Sequence, residues 1–196
     1  KRAFMAGVAV LGASAIARAD GGFAKIIDKQ APERRERIVP AGAGSIKDFY
    51  SRCTACGLCM SACPNNVLRP STDLEHLMQP TMSFEKGWCR PECTACSQVC
   101  PSGAILGIVP EQKTLIKTGT ARVNTELCLS ATGRENCPGC VQHCPNGAVR
   151  MVTKDGVRIP VVNAELCIGC GACEYLCPVR PTSAITVDGV SVHHNS

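Results

Sequence analysis

Four times in this sequence a tight run of cysteines ends in Cys-Pro: at Cys63-Pro64, Cys100-Pro101, Cys144-Pro145 and Cys177-Pro178. Aligned on that dipeptide, the 16 cysteines of the 196 residues fall into four groups. Group one is Cys53, Cys56, Cys59 and Cys63; group two is Cys89, Cys93, Cys96 and Cys100. Group three is Cys128, Cys137, Cys140 and Cys144; group four is Cys167, Cys170, Cys173 and Cys177. The flanks repeat as well. Pro101-Ser102-Gly103-Ala104-Ile105 echoes Pro145-Asn146-Gly147-Ala148-Val149, and Asn124-Thr125-Glu126-Leu127 echoes Asn163-Ala164-Glu165-Leu166, so the chain is a product of duplication. With aromatics at only 4%, something other than hydrophobic burial must close the fold.

Groups one and four have the spacing C-x2-C-x2-C-x3-C-P, the run of bacterial two-cluster ferredoxins, in which the fourth cysteine ligates the other cluster. Three cysteines in one short loop can wrap three corners of a [4Fe–4S] cube. The fourth, about one helical turn or 5.4 Å further on, is carried toward a neighbouring cube. Gly57, Gly169 and Gly171 give such a loop its close backbone approach. Groups two and three insert residues only between their first and second cysteines, which leaves Cys89 and Cys128 as the least regular ligands. All 16 cysteines are expected to bind four [4Fe–4S] clusters.

Other uses of cysteine fit less well. A disulfide scaffold does not need four closely spaced groups that each end in Cys-Pro. Structural zinc commonly uses separated C-x2-C pairs. A Rieske centre needs two histidines, and Cys140-x2-His143 offers half a pattern; His143, His76, His193 and His194 are expected at the surface.

The formal charge of +5 counts every cysteine as neutral. Ligation requires thiolates, and four oxidised clusters bring the sum to about −3, or about −6 if Lys1, Arg2 and Arg18 are removed. Nucleic acid is therefore not an expected partner, and Arg34-Arg35-Glu36-Arg37 reads as a solvated face of a linker. Gly42-Ala43-Gly44 does not extend to a dinucleotide fingerprint, and no phosphate loop, nucleophile elbow or metalloprotease helix is present. The expectation is a redox relay and not an enzyme, with no small-molecule substrate.

Residues 1–19 read as an export signal: Lys1-Arg2-Ala3-Phe4-Met5, an apolar stretch, then Ala17-Arg18-Ala19 as a small-x-small cleavage pattern. Lys1-Arg2 resembles a twin-arginine signal, which suits a protein that crosses the membrane already folded. An uncleaved anchor and a buried helix are the other readings. Residues 20–44 read as a linker and 45–196 as a tandem ferredoxin-like four-cluster domain. Its class is α+β, two pseudo-symmetric ferredoxin-like units of short helices and β-hairpins. Asp155-Gly156 joins Ala148–Thr153 to Val157–Val162 as a strong hairpin signal. A looser hairpin is expected between Ile105–Val109 and Thr120–Asn124, with short helices from each third cysteine to its fourth, ended by the proline.

These motifs resemble the ferredoxin-type proteins of the NapG and MauM family, exported four-cluster proteins; the likeness runs from the signal through Pro40-Ala41-Gly42-Ala43 and the four cysteine groups. The resemblance implies an electron relay on the outer face of the cytoplasmic membrane or in the periplasm. Its partners would be a membrane quinol-oxidising iron–sulfur protein and a periplasmic reductase or cytochrome. A permanently bound iron–sulfur subunit of a larger oxidoreductase is the alternative.

Two pairings of the groups satisfy the spacing: neighbours together, or a nest in which groups two and three form an inner unit and groups one and four an outer one. Like spacing sits with like in the nest, and the resemblance implies the same. The expected ligand sets are therefore Cys53, Cys56, Cys59 with Cys177; Cys167, Cys170, Cys173 with Cys63; Cys89, Cys93, Cys96 with Cys144; and Cys128, Cys137, Cys140 with Cys100.

Overall fold

Among the described residues, Ser45 opens the first helix, α1 (Ile46–Arg52), by accepting the Asp48 N–H on its hydroxyl at 3.0 Å, an N-cap that leaves Phe49 and Tyr50 facing inward. The computed structural model describes residues 28–195. The export signal expected at residues 1–19 lies outside them. The remaining elements are short because loops around cysteines interrupt them. In order they are α2 (Leu58–Ser61), β1 (Leu68–Pro70), β2 (Pro80–Met82), α3 (Ala95–Gln98), α4 (Pro110–Lys113), β3 (Ile116–Val123), α5 (Gly139–Gln142), β4 (Val149–Lys154), β5 (Val157–Val162), α6 (Ala172–Leu176) and β6 (Ile185–Asn195). The helices α2, α3, α5 and α6 each begin one residue before the third cysteine of a group, close to where the sequence places them.

Three two-stranded antiparallel ladders hold these pieces. The β4–β5 hairpin pairs Val149 with Val162 through Lys154 with Val157. Its turn residues Asp155 and Gly156 both have positive φ, 52° and 78°, the geometry that an Asp-Gly turn supplies. The β1–β2 hairpin, which carries no such turn signal in the sequence, pairs Leu68 with Met82 after group one just as β4–β5 follows group three. The looser hairpin does not form. Residues 105–109 are not a strand: Ile105 and Ile108 are buried, and Pro110 begins α4. Instead β3 pairs with β6, Val123 opposite Ile185 and Ala121 opposite Val187, so the chain's last strand closes the ladder.

The expected linker is part of the core from Ile38 onward. Ile38, Val39, Phe49 and Phe84 are 0% exposed, and Val67 and Val187 pack in the same cluster. Met82 donates its N–H to the Ile38 carbonyl at 2.9 Å, which adds the N-terminal segment to the edge of the first hairpin. The basic run is likewise not uniformly solvated. The Arg34 side chain is only 10% exposed, and both of its terminal nitrogens meet the Glu174 carboxylate, at 2.7 Å and 3.1 Å. Glu174 also accepts the Val187 N–H at 2.7 Å, which explains how a carboxylate can stand at 1% exposure beside the core.

Candidate metal centres

The structure gathers the 16 cysteines into four quartets, and the pairing is between neighbours. Cys53, Cys56 and Cys59 surround one cavity with Cys100, beside Phe49 and Ile105. Cys89, Cys93 and Cys96 surround a second with Cys63. Cys167, Cys170 and Cys173 line a third with Cys144, and Cys128, Cys137 and Cys140 a fourth with Cys177. The nested sets are corrected in every case: Cys177 does not join Cys53, Cys63 does not join Cys167, Cys144 does not join Cys89, and Cys100 does not join Cys128. The physical reason lies in the hairpins. After group one, β1 and β2 turn the chain straight back and lay group two beside it; β4 and β5 do the same for groups three and four. Sequential elements joined by a short return are neighbours in space, and closing a short loop costs less entropy than closing a long one. The spacing argument for the nest fails because the insertions in groups two and three are absorbed locally. In group three the Ser130 hydroxyl holds the longer loop to the Arg158 carbonyl on β5 at 2.7 Å, and in group two Lys113 binds the carbonyls of Arg90 and Cys93.

Each fourth cysteine is set by the same local device. After Cys-Pro the chain turns, with positive φ at Asn66, Gly103 and Gly147, and an inward apolar pair follows: Val67-Leu68, Ala104-Ile105 and Ala148-Val149, all buried. In group four the turn is three residues longer, Val179 to Ser183, before the buried pair Ala184-Ile185. A backbone N–H then donates back to the sulfur: Val67 to Cys63 at 3.4 Å, Ile105 to Cys100 at 3.4 Å, Ala148 to Cys144 at 3.2 Å and Ala184 to Cys177 at 3.4 Å. Ala121 on β3 donates to Cys167 at 3.4 Å. Such N–H···S contacts orient a thiolate and stabilise its charge. The loops of groups one and four also share a backbone form, with left-handed residues on either side of the second cysteine, Ala55 and Gly57 in one and Gly169 and Gly171 in the other. At Gly171 (φ 79°) a side chain would also run into the fully buried Phe84 ring, so the second unit's loop seats directly on the first unit's core.

Each quartet holds at least one thiol that resists ionising unless something positive joins it. Burial, then the neighbouring Cys53, pushes the Cys59 thiol up to about 11. Burial with Cys128 and Cys137 beside it takes Cys140 to about 11. Burial takes Cys96 to about 12, with Cys89 adding to it, and takes Cys170 to about 12, with Cys144 and Cys167 adding. Cys100 differs: burial opposes its thiolate, but the Ile105 N–H, the Ser102 hydroxyl and the N–H groups of Ser102 and Ala104 outweigh that and lower its pKa. Iron would supply the missing positive charge, since metal ligation deprotonates a thiol outright. A single zinc ion fits less well. Its four sulfurs would stand about 3.8 Å apart given Zn–S bonds of about 2.3 Å, and among the described residues no three His, Cys, Asp or Glu side chains converge closely enough to hold one ion. Four thiols that line one cavity without converging on a single ion suit a polynuclear group such as a cubane.

The quartets stand in series. The Cys96 thiol feels Cys59 of the first quartet, Cys170 of the third feels Cys89 of the second, and Cys173 of the third feels Cys140 of the fourth. Cys56 in the first quartet is exposed to solvent. None of the histidines lines a quartet. His143 is exposed and bonds the Gly139 carbonyl at 2.9 Å, whereas His76, expected at the surface, stacks on Tyr50 with centroids 3.9 Å apart. His193 also departs from expectation: it is largely buried, neither ring nitrogen has a partner, and burial drops its pKa to about 4.

Comparison with known proteins places the chain in a family. The family model "4Fe-4S dicluster domain" matches residues 52–104 and again residues 134–180. The first match contains groups one and two whole; the second contains group four and all of group three but Cys128. The chain belongs to the ferredoxin-type 4Fe-4S dicluster family. Within it, the chain is 33% identical to the ferredoxin-type protein NapF of Escherichia coli K12 over 80% of its own length and 87% of the relative's. It is 32% identical to the methylamine utilization ferredoxin-type protein MauM of Paracoccus denitrificans, over 80% of this chain and 75% of that one. NapG of Escherichia coli K12 is 30% identical over 72% of this chain and 66% of its own.

Proposed function

We propose that this ferredoxin-type protein is an electron relay that carries four [4Fe–4S] clusters in a line and has no substrate site of its own. The observation that carries the reading is the series of four cysteine quartets, each closed by a cysteine from the neighbouring group. When bound, each cluster accepts and returns one electron. The chain's part is to hold the thiolates, donate N–H groups to the sulfurs and keep the cavities dry. Cys53, Cys56, Cys59 and Cys100 would hold the first cluster and Cys63, Cys89, Cys93 and Cys96 the second. Cys144, Cys167, Cys170 and Cys173 would hold the third and Cys128, Cys137, Cys140 and Cys177 the fourth. The likeness to Nap and Mau ferredoxin-type proteins supports redox-protein partners. The sequence reading adds a location outside the cytoplasmic membrane, between a membrane quinol-oxidising protein and a periplasmic reductase or cytochrome. Anaerobically purified protein should contain about 16 iron and about 16 acid-labile sulfide per chain; about half that, or zinc in place of iron, would refute the reading.

One observation favours a permanent place in a larger oxidoreductase. Leu74, Leu77 and Met78 are exposed on the loop between β1 and β2, Leu74 at 89%. That loop is fixed next to the first quartet, where Gln79 donates to the carbonyls of Tyr50 and Cys53 at 3.0 Å and 2.8 Å. Replacing the three with Ser, Gln and Gln should release the chain from a stable complex if such a complex exists. A relay that meets its partners transiently would co-purify with none.

A further inference from the structure

Lys113 ends α4 with its side chain 6% exposed, inside the wall of the second quartet's cavity. An ammonium has three N–H donors and no acceptor, and here two carbonyls fix its position. One N–H goes to the Arg90 carbonyl at 2.6 Å and one to the Cys93 carbonyl. Cys89 lines the same cavity, and the ammonium's charge favours its thiolate. Both carbonyls belong to the irregular Cys89–Cys93 loop, so the same side chain that closes the loop also places a positive charge near a ligand sulfur. Cys96 feels that charge too. Lys117, four residues further along the chain on β3, is only 8% exposed but spends its ammonium on the Ala164 carbonyl at 2.6 Å and lines none of the four quartets.

We infer that Lys113 is a positioning residue for electron transfer, a built-in cation that raises the reduction potential of the second cluster relative to the other three. The inference rests on the four-cluster reading above. One-electron reduction of an oxidised cluster adds one negative charge to its cavity, with no bond made or broken. A cation held in the wall of the cluster's cavity, in a water-poor site, stabilises the reduced form more than the oxidised one. The consequence reaches beyond one centre. Cys89 joins the second quartet to the third through its N–H bond to Cys170, so a raised potential there makes the second cluster the place where an electron rests before it crosses between the two units.

The test is an electron paramagnetic resonance redox titration of the whole iron-loaded protein, with dithionite as the one-electron reductant. Wild type, Lys113→Gln, Lys113→Arg and Lys117→Met would be compared, each with its iron content. In Lys113→Gln one of four reduction waves should move to lower potential, by about a tenfold fall in its one-electron equilibrium constant, or about 59 mV. Lys113→Arg, which keeps the charge, should stay near wild type, and Lys117→Met should leave all waves in place. Equal shifts in the Gln and Arg variants, unchanged waves in Lys113→Gln, or loss of about four irons from both variants would overturn it, the last by showing that Lys113 only clamps the loop. Wild-type protein without four waves would instead refute the four-cluster reading itself.

Discussion

The backbone N–H of Cys89 donates to the carbonyl of Cys170 at 2.9 Å, so the first cysteine of group two and the second of group four are joined across the boundary between the two units. Each belongs to a different quartet, and each thiol lies within electrostatic reach of the other. The contact links the halves of the cysteine series without contributing a ligand to either.

The pairing can be read by substitution. Cys100→Ser and Cys56→Ser should each remove or convert the same centre, and the double variant should lose no more iron than either alone. Cys177→Ser combined with Cys56→Ser should instead lose the iron of two centres. Iron analysis with resonance spectra of the remaining clusters decides it: if Cys177→Ser and Cys56→Ser proved non-additive, the quartets described here would be wrong.

The Arg34–Glu174 pair predicts a large stability effect from a segment that looks dispensable in sequence. Arg34→Met leaves the Glu174 carboxylate buried without its cation, and removing one partner of a buried pair costs about 3–5 kcal/mol. The effect should appear in anaerobic denaturant unfolding as a lowered midpoint with an unchanged slope. A change under about 1 kcal/mol would show that water reaches the pair and screens it.

Much of the site was legible because cysteine spacing is a covalent record of loop geometry: three ligands per group, the helices starting beside Cys59, Cys96, Cys140 and Cys173, and the Asp155-Gly156 turn all follow from local sequence. The pairing was not, because the fourth cysteine can reach any neighbour and the deciding hairpin, β1–β2, has a nine-residue connection from Ser71 to Gln79 with no turn signal. The hairpin expected from 105–109 failed for the converse reason. Ile105 and Ile108 are buried beside Gly42, where the Leu106 N–H bonds the Gly42 carbonyl at 3.0 Å, and β3 found its partner in β6. Lys113 and Arg34 left no local signal at all, since a cation's partner lies far away in the chain.

Removal of iron should make stability depend on pH in a stated direction. Cys59, Cys96, Cys140 and Cys170 have thiol pKa values raised in the folded chain to about 11 or 12, against an ordinary 9.0. A raised pKa contributes stability that is fully present below about 9 and is lost as pH rises toward the folded value, because the unfolded chain ionises first. Chelator-treated protein should therefore melt at lower temperature at pH 10 than at pH 7.5 by circular dichroism. The iron-loaded protein, whose thiolates are already ionised, should change much less over that window. Equal shifts in both forms would mean that the thiols are not the groups responsible.

Export is open to a direct experiment. Lys1-Arg2→Gln-Gln in the sequence with its native leader should leave cluster-loaded protein in the cytoplasm with its visible absorbance unchanged. Continued appearance outside the membrane in a strain lacking twin-arginine translocation would remove that route from consideration.

The β6 strand reaches back to the start of the described chain: Gly189 donates to the Glu36 carbonyl at 3.0 Å, Ser45 bridges to Val192, and the His193 N–H reaches the Gly44 carbonyl at 2.7 Å. On a ribosome β6 emerges long after the segment it covers. That segment therefore waits, with Ile38 and its neighbours uncovered along one side, until β6 has left the exit tunnel. Group one can fold around its hairpin early, but the helix that leads into it, α1, is covered only when β6 arrives. A nascent chain stalled before Ile185 would present an unfinished first unit to the machinery that delivers iron and sulfide, which ties the timing of assembly to the emergence of that strand.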